Sequence, residues 1–237
     1  MLKKNIIIVF IVLSGCGILS AQIGKIQNLP DYTNEVVNFG FYLGVNRTNF
    51  IVHPLNFPLD TVLVVESTPK LGFDLGIIAE VALHPYLTLR FVPELAFGER
   101  NLQFTFLIPS TGKKTSIAKR VESTFINFPL DLKYRSKRIN NWGVYVLGGG
   151  RYSVDLASQK DVKANIPGQE IIKLKRKDIG YEGGAGIDFY LPFFKFAIEA
   201  KLTVGLKDQL VKDNTVFSNS INKLNSKIFL ISFTFEG

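Results

Sequence analysis

KLGFDLGIIAEVALHPYLTLRFVPELAFGERNLQFTF, residues 70–106, decides the fold. From Leu71 to Leu83 every second residue is apolar (Leu71, Phe73, Leu75, Ile77, Ala79, Val81, Leu83), and the residues between include Gly72, Asp74, Gly76 and Glu80. A period of two belongs to a strand and not to a helix. After His84-Pro85-Tyr86 the alternation restarts, with Leu87, Leu89, Phe91, Leu95 and Phe97 on one face and Thr88, Arg90, Glu94 and Gly98 on the other. Two long antiparallel strands joined by a tight turn follow. Each apolar face exceeds the roughly 9 to 11 residues a tilted strand needs to cross a bilayer. With charges on the opposite face, this predicts a transmembrane β-barrel hairpin, apolar outside and polar inside.

Outward from this hairpin, the same pattern predicts six more strands: Val37–Val52 before it, then Val121–Tyr134, Trp142–Asp155, Asp178–Leu191, Phe194–Gly205 and a last strand carrying Phe229, Ile231, Phe233 and Phe235. The segments His53–Pro69, Ile108–Arg120, Leu156–Lys177 and Leu206–Ser226 are predicted as long loops, and the joints at His84–Tyr86, Arg135–Asn141 and Pro192-Phe193 as short turns. Long and short connections therefore alternate at all seven joints, as extracellular loops and periplasmic turns do in outer-membrane barrels. The expectation is an all-β, eight-stranded antiparallel up-and-down transmembrane β-barrel of outer-membrane type. A soluble lipocalin-like barrel has the same strand plan with its faces reversed. Strand length, an export signal and aromatic residues at strand ends (Phe39, Phe41, Tyr86, Phe91, Trp142, Tyr190, Phe193, Phe194, Phe229, Phe233) favour the membrane.

The export signal is read from Lys3 and Lys4, the apolar run Ile6–Leu13 and Leu19-Ser20-Ala21 before Gln22. Leu13-Ser14-Gly15-Cys16 also fits a lipoprotein signal, in which Cys16 carries lipid. The expected organisation is a signal peptide at 1–21, a periplasmic N-terminal segment at 22–36 and the barrel at 37–237. Cys16 is the sole cysteine, so no disulfide and no cysteine-based metal site or nucleophile is expected. Mean hydropathy is +0.18, yet no later segment has the roughly 18 uninterrupted apolar residues of a membrane helix. The formal charge of +8 falls to +6 without the two signal lysines. Export, and the lack of an aromatic-plus-basic motif, argue against nucleic acid as a partner.

With apolar faces on lipid, the lumen receives Asp74, Glu80, Arg90, Glu94, Asp131, Lys133, Arg151, Asp155, Glu182, Asp188, Lys195, Glu199 and Lys201. An eight-stranded barrel has room inside for side chains only, and buried charges must pair, so a salt-bridged plug is expected rather than a pore. Swapping an inward Asp74 or Glu80 for Leu is expected to damage the barrel less than an outward Leu75→Arg or Ile77→Arg. Outer-membrane lipid is an expected partner of the basic loops (Lys113, Lys114, Lys119, Arg120; Lys160, Lys163, Lys173, Lys175, Arg176, Lys177). For catalysis, a triad around His53 with Ser67 or Ser123 can be sketched, and His84 sits in a turn, but no spacing motif supports either. Gly148-Gly149-Gly150 and Gly183-Gly184-Ala185-Gly186 lack the strand-to-helix context of a phosphate loop. No catalytic, cofactor or metal residue is assigned. The alternatives are a small lipid-modifying barrel enzyme and a generic OmpA-like structural barrel.

Several blocks carry a wider resemblance: NLP at 28–30, FGFYLGVN at 39–46, PELAFGERNL at 93–102, ESTFINFPL at 122–130, KYRSKRINN at 133–141 and DFYLPFFK at 188–195. In these the chain resembles the PorT family, outer-membrane barrels of the type IX secretion and gliding-motility apparatus. The resemblance implies a non-enzymatic accessory component of protein secretion that works with other envelope proteins of that system, without a cofactor. Glu236-Gly237 after Phe235 departs from the terminal aromatic with which many bacterial barrels finish.

Overall fold

The computed structural model describes residues 27–33, 35–55, 62–108, 111–157, 172–213 and 215–237. The signal region with Cys16, and Lys160 and Lys163, lie outside them. Nine strands follow in order: β1 Val37–Pro54, β2 Val62–His84, β3 Leu87–Phe91, β4 Glu94–Ile108, β5 Lys113–Arg135, β6 Trp142–Asp155, β7 Lys177–Tyr190, β8 Lys195–Gly205 and β9 Ile221–Glu236. A single 3-10 turn, Asp31–Thr33, precedes them, and a four-residue helix α1, Val216–Asn219, stands before β9. Every pairing is antiparallel, and β1 pairs with both β2 and β9, which closes the sheet into a ring.

Nine strands replace the predicted eight because the third stave is broken after Phe91. Pro93 has no N–H to give the ladder, so Val92 N donates sideways to Pro129 O (3.3 Å) and Ile77 N to Pro93 O (3.1 Å). β3 and β4 thus remain one stave, lying between β2 and β5.

Burial fixes which face is out. Phe39, Phe41, Leu43, Leu71, Phe73, Leu75 and Ile77 are exposed, whereas Asn38, Asn46, Asp74 and Glu80 on the same strands are buried. A water-soluble barrel shows the reverse, so the faces are those of a barrel in lipid. From Leu71 to Leu83 the outward apolar run extends about 40 Å along the strand, or about 30 Å upright at a usual tilt, enough for a band of about 25 Å. Tyr190 is the exception among the predicted girdle aromatics. It points inward, is buried, and its ring carries the Arg138 guanidinium at 3.8 Å.

Towards the outer end the pattern inverts. On β4 the outward residues change from Leu95 and Phe97 to Glu99, Asn101 and Gln103, while Leu102 and Phe104 are fully buried inside. On β2 the register shifts between Pro69 and Phe73, and above this bulge Val64, Glu66 and Thr68 are the exposed residues. Inward Phe50, Leu102, Phe104, Val121, Ile221 and Leu224 form an apolar cluster with Ile172, Leu174, Leu210 and Phe217 from the connecting segments. The staves therefore rise out of the membrane and there fold as a water-exposed sheet does.

This rise corrects three predicted loops. β2 begins by Val62 and not after Pro69, β9 begins by Ile221 and not after Ser226, and β5 begins at Lys113 and not after Arg120. Polarity marks residues 108–120 as loop, but β4 and β5 stay in unbroken register from Glu94↔Asn127 to Ile108↔Lys113, with Gly112 at φ +65° in the tip. The polar residues face water on a strand, not on a loop. The short joints at Pro85-Tyr86, 136–141 and 191–194 are present as predicted.

Candidate functional site

The lumen is the candidate site, and alternation places it correctly: every charged residue predicted to line it is buried. Glu80 is the hub of the periplasmic half. Its carboxylate meets Lys133 at 3.3 Å, Arg90 at 3.5 Å and Lys195 at 3.6 Å. Lys133 also reaches Asp188 (3.5 Å), and Lys195 reaches Glu236 (2.6 Å). Arg90, from β3, crosses the barrel to Glu199 on β8 at 2.5 Å, and Tyr145 donates to the same carboxylate at 2.7 Å. The Tyr145 ring lies directly over Gly186, where a Cβ would collide with it. A glycine is required at that position for this reason.

In the outward half of the lumen, Lys201 pairs with Glu182 (3.0 Å) and Glu199 (3.9 Å), and Arg151 with Glu94 (3.6 Å) and Glu182 (4.0 Å). Tyr42 donates to Glu94, and Asn127 donates to its other oxygen at 2.7 Å. These side chains reach one another from adjacent staves and from staves two apart, and interlock, as removal of several charges from water demands. Above them Arg100 donates to Ser123 (2.5 Å) and Ser226 (2.9 Å) and lies between the rings of Phe50 and Phe125. It separates the charged lumen from the apolar cluster.

Both mouths are covered. At the outer mouth, Leu174 and Leu210 form a β-bridge, Phe217 packs edge-on against Phe104 and Phe106, and Lys119 lies over Phe217 at 4.6 Å. Thr215 caps α1 through the Ser218 amide. Partial burial pushes the nearby Asp213 carboxyl up, but hydrogen bonds with Thr215 and Ser218 and the charge of Lys173 hold it below its usual range. At the periplasmic mouth the segment from Asn28 to Thr33 folds back. Arg138 donates to the carbonyls of Leu29 (3.1 Å) and Asn28, Asn28 donates to Tyr190 O (2.9 Å), and Tyr32 enters the bore and donates to Glu236 at 3.0 Å.

Sequence reasoning missed Glu236, Arg100, Asp178 and Tyr32 as lumen residues. For Glu236 the signal was present, because Ser232 and Thr234 share its inward phase. Tyr32 lies outside any alternating run and carried no such signal. The sketched triad is not assembled. His53 is exposed at the end of β1, opposite Lys223, Ser67 Oγ accepts from Phe50 N (3.1 Å), and Ser123 Oγ is held by Arg100. His84 lies at the opposite, periplasmic end, its Nδ1 facing Tyr86 N at 3.4 Å. Among the described residues no group of three or more His, Cys, Asp or Glu is arranged to hold a metal ion.

Among known proteins, the chain matches the family model described as outer membrane protein beta-barrel domain over residues 25–211. No curated protein matches it. Similar solved structures include OprG from Pseudomonas aeruginosa (15% identity, 85% of this chain and 94% of that one, TM-score 0.42). Others are Neisserial surface protein A (11%, 84% and 98%, 0.41) and Ail of Yersinia pestis (13%, 86% and 100%, 0.40). With apolar staves outside, a charged lumen inside and a family model matching most of its length, the chain belongs to the outer membrane protein β-barrel domain family and is a protein of the outer membrane.

Proposed function

We propose that this protein is a non-enzymatic component of the type IX protein secretion machinery, assisting export across the outer membrane through contacts with other envelope proteins of that system. One observation carries the mode of action: the bore is filled by interlocked ion pairs and covered at both ends. A barrel of this kind serves as an anchored platform, not as the conduit for cargo. The resemblance of its NLP, PELAFGERNL and KYRSKRINN blocks to the PorT family supplies the identity of the machine. The surfaces left for partners are the periplasmic turns, where Lys137, Ile139 and Phe193 are exposed, and the hairpin tip of β4 and β5. It takes no cofactor and does not bind nucleic acid.

The test is deletion of the gene in its own host, with the culture medium assayed for proteins exported by that system. Loss of those proteins, restored by the intact chain and equally by a chain carrying His53→Ala and His84→Ala, is the expected outcome. Normal export in the deletion strain overturns the proposal. Failure of the double histidine variant to restore export would favour a lipid-modifying enzyme.

A further inference from the structure

Three cations converge at the outer edge of the lipid-facing belt, on the adjacent staves β9, β1 and β2. Arg47 is paired on one side with Phe229 and on the other with Leu71. One step along, Thr48 pairs with Lys70, and two steps along, Asn49 pairs with Lys227. Residues paired or diagonal across antiparallel strands lie about 5 to 8 Å apart, so side chains as long as Lys and Arg reach a common point. Alternation sends Arg47 and Lys227 outward, in phase with Val45 and Phe229, and Lys70 is the exposed residue at the bulge of β2.

Two contrasts separate this cluster from an ordinary basic rim. On the next staves round from β2, at the same height on β4 and β5, the cation is already matched: Arg120 meets Glu99 at 2.7 Å and Glu122 at 3.2 Å. Arg47, Lys70 and Lys227 have no carboxylate within ion-pair distance among the described residues. Directly beneath them on the same staves lie exposed Val45, Leu71, Phe73 and Phe229, a surface made for acyl chains. A ligand that fits both levels has an anionic head and hydrocarbon tails.

From this juxtaposition we infer that Arg47, Lys70 and Lys227 form a binding site for the phosphate of an outer-leaflet glycolipid, whose acyl chains lie on the β9, β1 and β2 staves. The guanidinium of Arg47 supplies the bidentate contact that a phosphate favours, and the two lysines add charge on either side. The site does not depend on the secretion role.

The experiment uses the full mature chain in phosphatidylcholine vesicles doped with bisphosphorylated lipid A, and measures the lipid A retained per barrel after purification. Near an anionic surface each cation contributes about 1 kcal/mol, so Arg47→Gln, Lys70→Gln and Lys227→Gln together are expected to weaken retention on the order of a hundredfold. A control of equal charge change, Lys113→Gln, Lys114→Gln and Lys137→Gln, is expected to retain lipid A as the unaltered chain does. Dephosphorylated lipid A is expected to be lost from all three chains. Retention by the cluster variant, an equal loss in the control, or retention of the dephosphorylated lipid each overturns the proposal. Displacement by an equal amount of inorganic phosphate also overturns it, assigning the site to the free anion. A heat-shifted band on unboiled gels confirms that each variant has folded. Arg47→Gln alone, which alters one outward side chain, gives the same reading with a smaller loss if the triple variant fails to insert.

Discussion

At the scale of single residues, Glu80 shows what alternation conveys and what it leaves out. Its place in strand phase assigns it to the lumen, and by that criterion it is equivalent to Asp74. The two differ in their neighbours: Glu80 holds Arg90, Lys133 and Lys195, whereas Asp74 accepts from Asn46 (2.5 Å) and has no cation within ion-pair distance among the described residues. Glu80→Leu leaves three buried cations without their shared partner and is expected to cost about 3 to 5 kcal/mol. Asp74→Leu leaves one N–H of the Asn46 amide unpaired, the nitrogen still donating to Phe97 O (3.1 Å), at about 1 to 3 kcal/mol. Ile77→Arg, on the lipid face, is expected to cost about 2 to 4 kcal/mol. Denaturant titration in lipid vesicles checks the order, in which the hub leaves Asp74→Leu milder than Ile77→Arg but makes Glu80→Leu at least as costly. A Glu80→Leu barrel as stable as Asp74→Leu would show that the hub is not one. The partners themselves were not legible, because Arg90 and Glu199 are 109 residues apart and meet only when the ring closes.

At the scale of elements, the spanning parts of the strands were legible and their outer extensions were not. Inside the bilayer the apolar face must be outward, and the long runs Leu71–Leu83 and Phe229–Phe235 announce it. Past Phe97 the solvent on the outer face changes from lipid to water, so Lys113–Arg120 carries the composition of a loop while holding the geometry of β5. The apolar cluster around Phe104 is what holds these extensions together. Phe104→Ala is therefore expected to loosen them at a cost of about 3 to 5 kcal/mol, with hydrogen exchange rising at the amides of Leu102–Lys119 and unchanged at Leu75–Leu83. A uniform rise along both stretches would mean that the two zones unfold as one.

At the scale of the whole molecule, ring closure and occupied mouths make the barrel a solid body. In planar bilayers the intact chain is expected to give no stepwise ion conductance. Removal of residues 22–33 is expected to leave it silent as well, since Arg90 and Glu199 still bar the bore. Steps of conductance from the intact chain would contradict the sealed lumen. The docking of Tyr32 on Glu236 carries a different consequence. Tyr32 comes before the first strand and Glu236 ends the last, and Gly237 N donates to Phe39 O at 3.1 Å beside them. The receptor for the leading segment is thus built from the trailing one, and it exists only after β9 has zipped to β1. During biogenesis a tucked N-terminus is accordingly a certificate of completion: a half-assembled barrel leaves residues 27–33 dangling within reach of periplasmic proteases, and a finished one withdraws them.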